Sequence, residues 1–286
     1  MHVSGPVRFA LLALGAALLL LAPQPASAAW SNDPALGTYL SLGWLNSSGG
    51  EPSMVTDGAG GFWLLTSYQN GFSSTEFEAV RVSASGSVLA HLFSDVVSGS
   101  SKSSPVLQAD GAGGIFVVWR DARGGGDIYA ARYNSAGARL WTAGGALMCS
   151  NASAQSNPAA ARLSVGYLMV GWTDFRSGDA DIYAQLVNSG DGSVYWGAAG
   201  TPVAVVAGSA QDSVAILADD NSGATFVWQD GRNAVTTGVD LYAQHMSFGS
   251  GVYWTWYPTG AQVSNAVGNA GRPQLVSEGS WLGVVW

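Results

Sequence analysis

Trp119-Arg120-Asp121-Ala122-Arg123 returns as Trp172-Thr173-Asp174-Phe175-Arg176 and again as Trp228-Gln229-Asp230-Gly231-Arg232. Behind each copy comes an acid-led tyrosine segment: Asp127-Ile128-Tyr129, Asp181-Ile182-Tyr183 and Asp240-Leu241-Tyr242. A second tryptophan follows, at Trp141, Trp196 and Trp254. The leading tryptophans at 119, 172 and 228 stand 53 and 56 residues apart. Self-similarity at one long period marks a stacked or circular array of a single supersecondary unit. It also sorts the residues by role. A side chain present in every unit serves the architecture, because chemistry needs its groups only once.

Working outward from the motif, each unit reads as four short strands. A proline or serine opens the first, as in Pro105-Val106-Leu107-Gln108-Ala109. Asp57-Gly58-Ala59-Gly60-Gly61 and Asp110-Gly111-Ala112-Gly113-Gly114 then form tight turns, since Asp-Gly between apolar runs supplies the positive φ that hairpins need. The second strand, Ile115-Phe116-Val117-Val118-Trp119, is apolar without alternation, as expected of a strand covered on both faces. The Asp-Ile-Tyr segment is the third strand, and the second tryptophan is placed in the fourth. The resulting fold class is all-β, a β-propeller of four-stranded blades. A β-sandwich would not explain why one motif returns at one place in each unit.

The repeats cover about 51–103, 104–157, 158–212 and 213–272, with a partial fifth over 273–286. Residues 30–50 read as the tail of a preceding blade. The first repeat is degenerate, with Thr66, Tyr68 and Asn70 at the motif positions. Trp286 falls where the other motifs begin, so the ring is expected to be truncated or incomplete.

Residues 1–28 have the pattern of a signal peptide: Arg8, an apolar run from Phe9 to Ala22, and the small-residue site Ala26-Ser27-Ala28. The propeller occupies 29–286, and an exported location follows, whether periplasmic, cell-surface or extracellular. The apolar run is short for a membrane span and is broken by Pro23 and Pro25. The whole chain carries 11 Lys and Arg against 19 Asp and Glu, a net charge of −8. Such a balance argues against nucleic acid, which requires clustered cations. Proteins and glycans remain as partners, with the oligomeric state open. Cys149 is the single cysteine, so no intramolecular disulfide forms.

Trp119, Asp121 and Arg123, with Trp172, Asp174, Arg176, Trp228, Asp230 and Arg232, are read as a structural motif in which each Arg closes on its own Asp. The competing reading sends the three arginines to the propeller axis to hold an anion. Tyr129, Tyr183 and Tyr242 follow the same structural logic. The aromatic cluster Tyr253, Trp254, Trp256 and Tyr257 belongs to one repeat alone, and is therefore the candidate ligand surface. Asp219-Asp220-Asn221 and Asp179-Ala180-Asp181 do not form a full calcium loop, so neither a metal nor a cofactor is assigned. His91 and His245 have no metal or triad spacing around them, and no catalytic residue is assigned.

The sequence from the Asp-Gly-Ala-Gly-Gly turn through Trp-x-Asp-x-Arg to Asp-Ile-Tyr-Ala-Gln resembles the repeats of large exported bacterial β-propeller proteins. It is also similar to the TolB-type propeller repeat. The resemblance spans nearly all of the chain after residue 28 and implies the fold more than the activity, because one propeller hosts many chemistries. The expected function is a non-enzymatic binding or scaffold module. The alternatives are a sialidase-like or other glycan-active propeller enzyme, and an envelope propeller that docks proteins. The Ser-x-Asp-x-Gly-x-Thr-Trp box of sialidases is absent from the sequence.

Overall fold

The computed structural model describes residues 52–69, 74–95, 100–164, 166–219, 223–247, 253–254, 259–265, 267–278 and 281–286. The signal segment, residues 30–50, Asp220, Asn221, Trp256 and Tyr257 lie outside the described residues. The fold is an all-β propeller of four-stranded antiparallel blades. Blade one comprises β1 (Ser53–Thr56), β2 (Phe62–Gln69), β3 (Thr75–Val82) and β4 (Val88–Phe93), hydrogen-bonded in chain order. Blade two comprises β5 (Lys102–Ala109), β6 (Ile115–Asp121), β7 (Asp127–Tyr133) and β8 (Ala146–Leu147). Blade three comprises β9 (Gln155–Arg162), β10 (Tyr167–Asp174), β11 (Asp181–Asn188) and β12 (Thr201–Ala204). Blade four has β13 (Gln211–Ala218), β14 (Gly223–Asp230) and β15 (Asp240–Ser247), with β16 (Tyr253–Trp254) and β17 (Ala261–Gln262) both pairing with β15. A fifth sheet contains β18 (Gln274–Glu278) and β19 (Trp281–Val285). One 3-10 turn, Arg123–Gly125, follows the motif in blade two.

The first strand of each sheet packs beside the first strand of the next, β1 by β5, β5 by β9, β9 by β13 and β13 by β18. These are the axial strands, and the fourth strands lie outermost. Side chains alternate across each second strand with period two. On β6, Ile115, Val117 and Trp119 join the core shared with blade one, while Phe116 and Val118 join the core shared with blade three. The pattern moves on by one blade each time: Trp172 packs into the blade two–three core and Trp228 into the blade three–four core. Both are fully buried. A buried aromatic of this size removes about 150–250 Å² from water, a gross gain of roughly 4–6 kcal/mol. The motif tryptophan is therefore the chief adhesive between blades. Gly171 in β10 marks a close approach, because a Cβ there would lie 2.8 Å from Ile216 of blade four.

The Asp-Gly turns close as their chemistry requires. Asp110 Oδ1 accepts from the N–H groups of Ala112 (2.7 Å) and Gly114 (2.8 Å), and Gly111 and Gly113 hold φ of 77° and 84°. Arg132 pairs with Asp110 Oδ2 at 2.9 Å and donates onward to the Ser189 carbonyl of blade three at 2.9 Å. Arg81 repeats this from Asp57 to Ser135 of blade two. The turn end is thus laced blade to blade. In blades two and three the second tryptophans do not sit in the fourth strand as the sequence suggested. Trp141 and Trp196 precede β8 and β12, because those strands are short, and Trp141 instead covers Gly192 of blade three and donates Nε1–H to Ser189 O. Trp254 does lie in a strand, β16.

Candidate functional site

At the end of each second strand, the chain leaves the sheet through one network. In blade three, Asp174 is fully buried. It accepts from Trp172 Nε1 (2.9 Å), the Arg176 backbone N–H (3.0 Å), Arg176 Nε (2.8 Å) and Arg176 Nη2 (2.6 Å). The guanidinium lies 3.8 Å from the Tyr183 ring centroid and donates to Ala199 O, in the approach to the outer strand β12. Arg232 repeats this on Asp230, Tyr242 and Thr259 O, and Arg123 on Asp121, Tyr129 and Gly144 O. The three arginines therefore point away from the axis, each held by its own blade. Burial pushes the Asp121 carboxyl up, but hydrogen bonds from Trp119 Nε1 and Arg123 outweigh it and hold it below its ordinary value. Burial also pushes the Cys149 thiol up to about 11, against the opposing pull of Arg176, so this cysteine is protonated and inert at neutral pH.

What faces the axis is a different set of residues. In three axial strands the β-ladder breaks opposite the motif tryptophan. Register runs from Ser103↔Arg120 to Val106↔Val118, so Ser104 and Pro105 together oppose Trp119. The same shift sets Asn157 and Pro158 against Trp172, and Ser213 and Val214 against Trp228. Gln274↔Val285 continues the register to place Arg272 and Pro273 beside Trp286. The first residue of each bulge is left-handed: Ser104 has φ 50°, Asn157 47°, Ser213 56° and Arg272 51°. These four are the complete set of non-glycine residues with positive φ among those described. A non-glycine residue in this region costs roughly 1–2 kcal/mol, and bulges of this kind re-aim side chains beside active sites.

The four bulges meet in an open axial depression of about 320 Å³, lined by Ser104, Asn157, Ser213, Arg272 and Gln274, with Pro105, Pro158 and Pro273 beneath. Asp212 adjoins it, next in the chain to the lining residue Ser213 and hydrogen-bonded to the lining residue Asn157. Its Oδ1 accepts from Thr173 Oγ1 (2.6 Å), Asn157 Nδ2 (2.8 Å) and the Ser213 N–H (2.6 Å). Oδ2 has no hydrogen-bond partner among the described residues. The mouth therefore combines neutral donors and acceptors suited to hydroxyl groups, a fixed carboxylate and a cation.

The structure treats the sequence candidates unevenly. Tyr253 and Trp254 pair with Ser247 and Met246 in blade four. Trp256 and Tyr257 lie outside the described residues. Asp219 is engaged locally, through its Gly223 N–H and His245 contacts, and Asp181 through Ser177. Among the described residues, no three His, Cys, Asp or Glu side chains gather into a metal-binding group. No helix among them is long and apolar enough to cross a membrane. The axial residues were missed because they do not repeat: the bulge position reads Ser, Asn, Ser, Arg. A signal was nonetheless present, since Ser104, Asn157 and Ser213 vary at one fixed distance before the repeated motif tryptophan, which separates a reading position from a packing position.

No protein-family model matches the sequence, and no curated protein does so. Solved structures do. The ulvan lyase of polysaccharide lyase family PL25 superposes with a TM-score of 0.52 and 11% identity over 80% of this chain and 63% of that one. The same enzyme bound to -[GlcA(1-4)Rha3S]- gives 0.54 at 11% identity over the same shares. A thermostable family-43 glycoside hydrolase gives 0.46 at 12% identity, over 75% of this chain and 77% of that one. The chain thus spans less than two thirds of the length of the ulvan lyase structures. At this identity the likeness shows the fold. The function expected from the sequence, a non-enzymatic binding or scaffold module, runs against these fold neighbours, since the ulvan lyase structures are of a glycan-active enzyme.

Proposed function

We propose that this chain is a glycan-active propeller enzyme that receives a polysaccharide at the axial mouth. The observation that carries the reading is Asp212. Three donors from two blades fix one of its oxygens and leave the other without a partner beside an open depression. A carboxylate held rigidly by one oxygen keeps the other aimed at the depression, and positioned geometry is what proton transfer to or from a sugar first requires. Ser104, Asn157, Ser213 and Gln274 supply the hydroxyl and amide groups that orient a polyhydroxylated substrate. Support also comes from the ulvan lyase fold neighbour, a polysaccharide lyase.

The test is to incubate the full chain with a panel of polysaccharides. New reducing ends report any cleavage, and the ultraviolet absorbance of an unsaturated sugar reports elimination specifically. Asp212→Asn keeps an acceptor for the Thr173 and Ser213 donors while removing the base. Its rate is expected to fall at least about 100-fold, the lower bound for losing a positioned acid–base group, with an unchanged melting temperature. A wild-type chain that cleaves nothing, or an Asp212→Asn variant as active as wild type, rules the reading out.

A further inference from the structure

Arg272 sets the substrate class of that mouth. We infer that it is an anion-recognition residue, and that the glycan taken there carries a carboxylate or sulfate on the sugar bound at the axis. The inference rests on the axial mouth as a glycan site and adds the charge of the ligand.

The first support is a comparison of the cations. In the described residues only Arg120, Arg162 and Arg272 have no carboxylate within ion-pair distance. Arg120 donates Nε–H to the Gln155 carbonyl at 2.9 Å. Arg162 lies at the far end of β9, with its guanidinium packed against the Gly111 turn of blade two. Arg272 alone lines the axial depression, is exposed, and has no hydrogen-bond or ionic partner among the described residues. In a chain with 19 acids to 11 Lys and Arg, an arginine left without an acid is conspicuous.

The second support is the backbone. Arg272 has φ 51°, the left-handed conformation that a long side chain rarely adopts and that glycine occupies without cost. The bulge geometry needs a left-handed residue, not an arginine, and its equivalents are the small Ser104, Asn157 and Ser213. A strained residue with no hydrogen-bond or ionic partner among the described residues is explained by a contact outside the fold. The planar guanidinium fork matches a carboxylate or sulfate through paired N–H donors, and neutral hydroxyls do not use that match. The rest of the molecule excludes the alternative of diffuse attraction. A net charge of −8 repels polyanions, so an acidic glycan must be held by local contact.

The experiment uses the full chain and three polymers: polygalacturonate for carboxylates, carrageenan for sulfate esters, and neutral galactan. Affinity electrophoresis or calorimetry gives binding for the wild type, Arg272→Gln and Arg272→Lys. The wild type is expected to bind at least one acidic polymer more tightly than galactan. Arg272→Gln should weaken that binding about 10- to 100-fold, the worth of a charged hydrogen-bonded contact, and leave galactan binding unchanged. Arg272→Lys should restore part of the loss. The acidic arm that responds identifies the anion. Arg272 has no hydrogen-bond or ionic partner among the described residues to lose, so its variants should keep the wild-type melting temperature. Tighter binding of galactan by the wild type, or acidic-polymer binding unaffected by Arg272→Gln, overturns the anion inference while glycan binding stands. Binding of none of the three polymers, together with no cleavage of the wider panel, removes the glycan site itself.

Discussion

Replacing Asp174 by Ala should unfold the protein at a markedly lower temperature. The carboxylate is fully buried and takes four hydrogen bonds, one from the Trp172 indole and three from Arg176. Ala leaves the Trp172 N–H without an acceptor inside the blade two–three core, which costs about 1–3 kcal/mol. The Arg176 backbone N–H loses its cap as well, worth about 1 kcal/mol. The guanidinium is less exposed to loss. Its side chain is 17% solvent-accessible, it still stacks on Tyr183, and it still reaches Ala199 O. The full penalty for breaking a buried pair is therefore discounted to the scale of a partly solvated one, about 1 kcal/mol or less. A total near 3 kcal/mol follows, and for a domain of this size each kcal/mol moves the midpoint by about 2–4 °C, giving a drop of roughly 6–12 °C. Thermal melts followed by tryptophan fluorescence, backed by urea titration, measure it. Asp121→Ala and Asp230→Ala strip the same network from the neighbouring blades and serve as internal replicates. The double variant Asp174→Ala/Arg176→Ala should lose less than the sum of its parts, because the two residues share their bonds. A midpoint within 2 °C of wild type, an allowance of about 1 kcal/mol or less, would refute the assignment of the acid as the anchor of the strand end.

Gly200→Ala should destabilise the protein by about 2–4 kcal/mol, combining overpacking with a left-handed backbone. Gly200 has φ 68°, and an added Cβ would lie 2.6 Å from the Trp172 ring edge; a wild-type denaturation curve for the variant would overturn this. Asp127→Asn should raise the melting temperature at neutral pH. Burial, with repulsion from Asp121, raises the Asp127 pKa against the pull of Arg123 and Arg120, so its ionised form is disfavoured in the fold. A raised folded pKa means that the wild type loses stability as pH rises through it. The advantage of Asn should therefore appear above the ordinary carboxylate range and vanish below it, and an equal effect at every pH would contradict the argument.

The sequence made the architecture legible because propeller blades repeat their adhesive. Trp119, Trp172 and Trp228 bury themselves against the preceding blade by one geometry, and Asp121, Asp174 and Asp230 cap the strand end by another. Identical physical demands select identical residues. The axial bulges impose a looser demand, for a backbone conformation and not for a side chain. Ser104, Asn157, Ser213 and Arg272 answer it with three residue types, and Val214 replaces the proline found after the others. Nothing in the local composition marks Asp212 either, since its bonds to Thr173 and Asn157 span blades that are distant in sequence. Aromatic density such as that around Trp254 and Trp256 is visible in a string of letters, whereas a bulge is visible only once two strands are paired.

The bulges also bear on how such a protein changes over time. When a blade is duplicated, its ladder, its tryptophan and its capping acid must be inherited intact, because each is bonded within the unit or packed against the preceding blade. The left-handed residue is under no such obligation. Its side chain forms no hydrogen bond within its own sheet, and the ladder is already interrupted where it stands. Each copy thus brings one freely editable letter to a shared circle. New specificity can then arise by altering that letter in a single copy, or by shuffling whole copies, while the frame that displays it continues unrevised.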